Sequence, residues 1–201
     1  MIEIRQATLD DTDALHAISL ATGDGGLDAA PLHAIPTLVG DLYSVPYLHL
    51  EPSLSFVACD EKGVVGFVVG AAETRDFERR MRAEWLPNCS EKYPSRSDPT
   101  LKLEDQRRLT QIREPGANPE DVVREFPAHM HMNLDTRARG QGVGRKLFET
   151  FIAELPMPNG LHIGARADNA GGIAFWSAVG FRPLTASDER TVWMGQFLAA
   201  K

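Results

Sequence analysis

The chain has 201 residues, 43% hydrophobic and 24% charged, the balance of a globular protein long enough to bury roughly 70% of its unfolded surface. Two cysteines, Cys59 and Cys89, are too few for a disulfide framework or a four-thiolate zinc site, and a net charge of −7 argues against a general nucleic-acid binder. The longest apolar run, 63–72, is about half a membrane span, and the first residues show neither the basic start nor the apolar core of a secretory signal. A single domain over 1–201 in the reducing cytoplasm is expected, with no membrane and no nucleic-acid partner.

In chain order, alternation of Ile2 and Ile4 predicts a strand over 2–7. Asp10, Asp11 and Thr12 offer N-caps for a helix carrying Leu15, Ile18 and Leu20. Residues 22–52 read as a loop followed by a helix around 32–42. Apolar runs over 54–59 and 64–69, joined by Asp60-Glu61-Lys62-Gly63, predict a hairpin. In the polar segment 74–126, Phe77, Met81 and Trp85 form one helical stripe, Pro87, Pro94 and Pro99 break it, and a second helix runs over 103–112. A strand over 128–134, a helix over 143–155, a strand over 161–165, a helix from about Ala170 to Gly180 and a strand around Val192 to Phe197 complete a mixed α/β chain.

The centre of that order is a glycine loop, Arg139-Gly140-Gln141-Gly142-Val143-Gly144-Arg145-Lys146, between a strand and a helix. Glycines let backbone N–H groups approach an anion, and the helix N-terminus adds partial positive charge. Between Thr136 and Phe148 stand Arg137, Arg139, Arg145 and Lys146 and no acid, a local reversal of sign in an acidic chain. No register supplies the lysine and hydroxyl of a Walker A loop, and a dinucleotide fingerprint fails at Arg145 in one register and at Leu147 in the other. Taken alone, the loop reads equally well as a turn that only joins strand to helix.

The spacing Arg139, Gly142, Gly144 resembles the coenzyme A pyrophosphate loop of the GCN5-related N-acetyltransferases, the GNAT superfamily. One helix and one strand later, Asn169, Gly172, Phe175, Trp176, Gly180 and Phe181 resemble the superfamily's Asn-x-x-Ala-x-x-Phe-Tyr-x-x-x-Gly-Phe segment, with Gly172 at the alanine and Trp176 at the tyrosine. The runs starting at Ser55, Glu84, Glu91 and Phe126 are similar, over about 38–198, to the acetyltransferase-like C-terminal domain of O-GlcNAcases and its free-standing bacterial relatives; the glycoside hydrolase portion is absent. The resemblance implies a mixed, mostly antiparallel sheet flanked by helices, with 74–126 a helical insertion between two central strands. It implies acetyl-CoA as cosubstrate, held by Leu134, Asp135, Thr136, Arg139, Gly140, Gln141, Gly142, Val143, Gly144, Arg145, Asn169, Gly172, Phe175 and Trp176. The function implied is acetyl transfer to a small-molecule or peptide amine; the alternative is a non-catalytic acetyl-CoA-binding module. The sequence sets no oligomeric state.

Transfer to an amine needs a neutral nucleophile, a polarised thioester carbonyl and departure of a thiolate. His129, His131 and Asn133 share one face of the 128–134 strand, and His131, nearer the loop, is the better base; a buried, hydrogen-bonded histidine is the competing reading. With His162 the pair offers three imidazoles, a metal set that the coenzyme motifs make unnecessary. Catalytic candidates are thus His131, Asn133 and Trp176, with no metal. By resemblance Trp176 lies beside the sulfur, where an indole donates a hydrogen bond but no proton. Glu73 and Asp76 are further candidates near the amine. Trp85 and Tyr93 either line an acceptor pocket or, with Phe77 and Met81, pack on the core.

Overall fold

The structure, a computed structural model, describes residues 2–156 and 160–198. Seven strands form one sheet in the order β1-β2-β3-β4-β5-β7-β6: β1 Glu3–Gln6, β2 Ser55–Asp60, β3 Gly63–Ala71, β4 Ala128–Leu134, β5 Gly160–Arg166, β6 Arg182–Pro183 and β7 Thr191–Phe197. Every neighbouring pair is antiparallel except β4 and β5. The hairpin forms where its turn chemistry directs: Asp60 Oδ1 accepts from the Lys62 amide at 2.8 Å, and Gly63 takes a φ of 112°.

Each face of the sheet carries its own core. On one, Met130, Leu161, Ile163 and Met194 meet α8 (Val143–Glu154) and α9 (Ala170–Ala178). α8 buries Val143, Leu147, Phe148 and Phe151 on a single stripe, the helical period seen in the sequence. On the other face, Val57, Phe67 and Val69 meet α1 (Thr12–Ala21), α3 (Val45–Leu50) and α4 (Thr74–Arg80). α9 ends with the Phe181 amide on the Trp176 carbonyl at 3.0 Å and Gly180 at φ 106°, the left-handed stop expected of that glycine.

Three elements depart from the sequence reading. The helix expected around 32–42 is a short 3₁₀ turn (Ala30–Leu32), then α2 (Leu38–Tyr43), then α3. Pro36 disfavours helix at Ile35, and the chain turns again at Ser44, whose hydroxyl meets that of Ser19 at 2.8 Å. Pro87 does not break its helix: α4 passes through a π turn (Met81–Trp85) into α5 (Leu86–Lys92), where Pro87 sits in the first turn and needs no N–H. α7 (Glu120–Glu125) follows α6 (Leu103–Arg113) and precedes β4, and is too short to show a period.

The segment between β3 and β4, with α4 to α7, is tied to the body by two buried carboxylates. Asp105 accepts from the amides of Ala34 (2.8 Å) and Lys102 (3.0 Å) and from His33 Nδ1 (2.9 Å). Asp41, 2% exposed, takes His16 Nε2 at 2.7 Å, Lys92 Nζ at 2.8 Å and the Tyr93 hydroxyl. Burial alone would raise its pKa, but these donors hold the Asp41 carboxyl down at about 2.

Candidate active site

β4 and β5 pair only at Ala128 with Leu161 and His129 with His162. Beyond these, β4 continues against β3 as far as Leu134 and β5 against β7 as far as Arg166, so the two parallel strands splay into a wedge. Alternation sends Met130, Met132 and Leu134 to the α8–α9 face and His129, His131 and Asn133 to the α1–α3 face.

The glycine loop closes the β4 end of the wedge. Asp135 caps its 3₁₀ turn (Thr136–Ala138), accepting from the Arg137 amide at 2.9 Å. Gly140 and Gly142 have φ of 73° and 75°, and a Cβ built on either meets nothing within 4 Å. Gly142 stands at the N-cap of α8, where it has no side chain to occupy the first-turn amides. Gly144 serves packing: a Cβ there would lie 3.2 Å from Leu134 Cδ1 and from Phe175 Cε2. Bare amides, a helix dipole and open space fit a pyrophosphate, and the exposed Arg145 and Lys146, unpaired among the described residues, add charge. The other two cations are engaged. Arg137 pairs with Asp60 at 2.8 Å, and Arg139 donates to the carbonyls of Leu134 (3.2 Å) and Gly26 (2.8 Å). Gln141 Nε2 donates to the Arg137 carbonyl, and Val143 is in the core.

The second motif builds α9. Asn169 Oδ1 accepts from the Gly172 amide at 2.9 Å as the N-cap, and a Cβ on Gly172 would lie 2.7 Å from Asn169 Nδ2. Phe175 reaches the loop beside Gly144 and Leu134. Trp176, 8% exposed, lies among Phe148, Phe175 and Phe181, with ring centroids 6.4, 5.0 and 5.2 Å away.

On the opposite face the histidines divide. The Thr74 hydroxyl donates to the Pro127 carbonyl at 2.7 Å, so His129 Nδ1–H donates to Thr74 Oγ1 and His129 Nε2 accepts from the Tyr47 hydroxyl at 2.7 Å. His162 Nδ1–H donates to the Phe126 carbonyl at 2.6 Å. Both imidazoles are committed to protein partners, and among the described residues no group of three ligating side chains gathers at a point. His131 has no hydrogen-bond partner among the described residues and stands half-buried, its ring 5.8 Å from those of Tyr43 and Tyr47. Burial, with the His162 charge as a lesser cause, pushes His131 down to about 4, so it is neutral at pH 7. Asn133 Nδ2 donates to Thr22 Oγ1 at 2.6 Å.

Sequence reasoning missed the hairpin-like strap over residues 22–29. Asp24 and Leu27 exchange backbone hydrogen bonds at 3.0 and 2.9 Å, Asp24 pairs with Arg166 at 2.8 Å, and Gly26 holds Arg139. It crosses from the β4 tip to the β5 tip over the mouth of the wedge. Its glycines were visible, but nothing local says what they approach. Tyr43 and Tyr47, missed too, arrive from α2 and α3. Tyr93 is in the core and Trp85, partly buried, packs against it: Trp85 Nε1 donates to the Asp41 carbonyl at 2.8 Å, and Tyr93 holds Asp41 and Thr37. Asp76 pairs with Arg79 at 2.6 Å, and Glu73 is exposed at the start of α4.

No family model matches the sequence. Among solved structures, SsHAT is 30% identical over 99% of this chain and 99% of its own, with a TM-score of 0.88. PH1933 from Pyrococcus horikoshii OT3 shares the fold at 14% identity, 100% coverage of both chains and a TM-score of 0.61. So does yncA, a putative acetyltransferase from Salmonella typhimurium solved with its cofactor acetyl-CoA, at 16% identity, 100% of this chain and 95% of its own, and a TM-score of 0.56. With a relative this similar across the whole chain, and both motifs in place around the wedge, the protein belongs to the GCN5-related N-acetyltransferase superfamily, on the branch of the O-GlcNAcase acetyltransferase-like domain.

Proposed function

We propose that the protein binds acetyl-CoA on the 139–145 loop and transfers the acetyl group directly to a primary amine in a ternary complex. The observation that carries this reading is the wedge itself: bare first-turn amides of α8 on one side, and on the other the one β4 histidine without a hydrogen-bond partner. The thioester supplies an activated acyl carbon; this chain's residues bind and orient it and manage one proton.

The β4 backbone near Leu134 meets the carbonyl oxygen, which takes negative charge as the amine nitrogen adds to the acyl carbon. An alkylamine with a pKa of about 10.4 is ~0.1% neutral or less at pH 7, and it is this neutral form that attacks. As the C–N bond forms its N–H becomes acidic, and His131, itself neutral, accepts that proton and passes it towards solvent. The C–S bond then breaks and the thiolate leaves. A thiolate is a tolerable leaving group, as the cysteine thiol's pKa of about 8.5 illustrates, so departure proceeds without an acid, and Trp176 gives none. Calorimetry with acetyl-CoA, CoA and ATP tests the binding half: acetyl-CoA and CoA bind and ATP binds far more weakly. Thiol release on a panel of amines tests transfer, and acetyl-CoA binding with no turnover on any amine would replace the enzyme with a binding module.

A further inference from the structure

One cation beside the wedge is oriented but incompletely used. Arg108, on α6, lies over the Tyr43 ring with Cζ 5.4 Å from its centroid. Its Nη1 donates to the Tyr43 hydroxyl and to Gln111 Oε1, both at 3.1 Å, and the Tyr43 hydroxyl donates to the same Gln111 oxygen at 3.1 Å. That ring of bonds fixes the guanidinium by one edge. On the other edge, among the described residues, Nε is buried with no partner and Nη2 makes no hydrogen bond; Glu104 Oε2 stands 3.9 Å from Nη2, while its other oxygen pairs with Arg107. A buried polar atom left unsatisfied in a native fold calls for an explanation, and the Nε–Nη2 edge is a planar fork matched to a carboxylate or phosphate. The same Tyr43 ring has His131 5.8 Å away on its edge, so the His131 ring centre and Arg108 Cζ lie no further apart than these two distances together.

We propose that the acceptor is a primary amine bearing an oxyanion, with the amine at His131 and the oxyanion on the Nε–Nη2 edge of Arg108. This rests on the acetyl-transfer reading for the amine end only. The oxyanion meets Nη2 in place of Glu104 Oε2, which is left to Arg107, and gains the buried Nε as the guanidinium turns towards it. The segment between β3 and β4 thereby sets specificity, through α6, for chemistry carried out on β4. A carboxylate or a phosphate monoester satisfies the same fork, and the spacer between amine and oxyanion reads out the separation of Arg108 from His131.

The test is a spacer series of ω-amino acids, each against the alkylamine of equal length, with O-phosphoethanolamine against ethanolamine as the phosphate arm. Charge-assisted bidentate contacts predict a preference of roughly ten- to a hundredfold in kcat/KM for the anionic member at one spacer length. Arg108→Gln brings the two members of each pair to equal kcat/KM, and Glu104→Gln, which removes the competing carboxylate, widens the gap. Equal rates within every pair, with transfer observed, overturn the proposal and leave acetyl transfer standing. If no amine is acetylated, saturation-transfer NMR of the same amines on wild type and Arg108→Gln decides the matter separately: binding that depends on Arg108 supports the oxyanion site while transfer falls, and binding indifferent to Arg108 overturns it. Should Arg108→Gln fail to fold, an unchanged preference in Glu104→Gln overturns it as well.

Discussion

The two sides of the wedge are built in different ways. The side proposed for the coenzyme is made of backbone: a run of consecutive residues, 139–146, two of them glycines at positive φ, at the start of a helix. The side proposed for the acceptor is made of side chains from distant segments: His131 on β4, Tyr43 and Tyr47 on α2 and α3, Thr22 at the strap and Arg108 on α6. A backbone site is written in one stretch of chain and tolerates little change. A side-chain site exists only after folding and can be retuned one residue at a time.

The largest effect should come from filling the backbone side. Gly142→Asn keeps the left-handed conformation at low strain, since asparagine adopts it more readily than other side chains, but projects atoms into the space over the amides. Affinity for acetyl-CoA should fall by at least about tenfold in calorimetry, with a thermal midpoint within a few degrees of wild type. Unchanged affinity would remove the phosphate from this loop.

The two histidines sharpen the comparison within the side-chain half. His131→Ala should lower kcat by on the order of 10²-fold and barely move the melting temperature, because none of the described residues hydrogen-bonds its ring nitrogens. His129→Ala should do the reverse. It strands the buried Tyr47 hydroxyl, while Thr74 keeps its bond to the Pro127 carbonyl, and costs roughly 1–3 kcal/mol in denaturant melts. A destabilised His131 variant with normal kcat would exchange their roles.

The histidines also set the response to acid. His131 and His162 are held at about 4 and His129 well below its usual value, in each case chiefly by burial. The unfolded chain therefore takes up protons that the fold refuses. Stability is full above about pH 6.5 and is lost as pH falls from there towards 4. Asp41, held at about 2, acts lower down: its contribution is present above the ordinary aspartate range and is lost as pH falls towards 2. Melting temperatures measured from pH 7.5 to 4 should thus begin to decline below about pH 6.5, above the ordinary carboxylate range. The pH profile of kcat should show no inflection near 6.5, and one there would place His131 in a more solvated setting.

Two smaller effects follow. Replacing Arg145 and Lys146 by alanine should weaken acetyl-CoA binding several-fold and flatten its salt dependence, whereas Arg137→Ala should not, because that charge is matched by Asp60. Trp176→Tyr trims an aromatic cluster, so the melting temperature should drop a few degrees while kcat stays within about threefold. A tenfold rise in kcat would show that thiolate departure limits turnover and that position 176 reaches the sulfur.

What the sequence disclosed follows the same division. Strands with alternating residues, the α8 stripe, the hairpin turn and the loop glycines are local patterns with local causes, and they appear where the pattern places them. The helices over 30–50 were misread because proline at 36 and the turn at Ser44 cut an apolar run into pieces too short to show a period. The His129–Thr74–Tyr47 chain joins residues up to 82 positions apart, and Arg108 meets Tyr43 from 65 away. No spacing rule reaches that far. The charge reversal around the loop was legible, but its division was not: whether an arginine is free depends on Asp60 and Gly26, which only the fold brings near.

The parting of β4 from β5 has a consequence for solubility. An interior strand that loses its neighbour part-way along exposes a ladder edge, the kind of surface on which a second polypeptide can add itself as a strand. The strap anchored by Asp24 and Gly26 lies across the entrance to that edge. Covering that edge is one way folds keep strands from pairing with other chains, so shortening the strap is expected to raise the protein's tendency to associate.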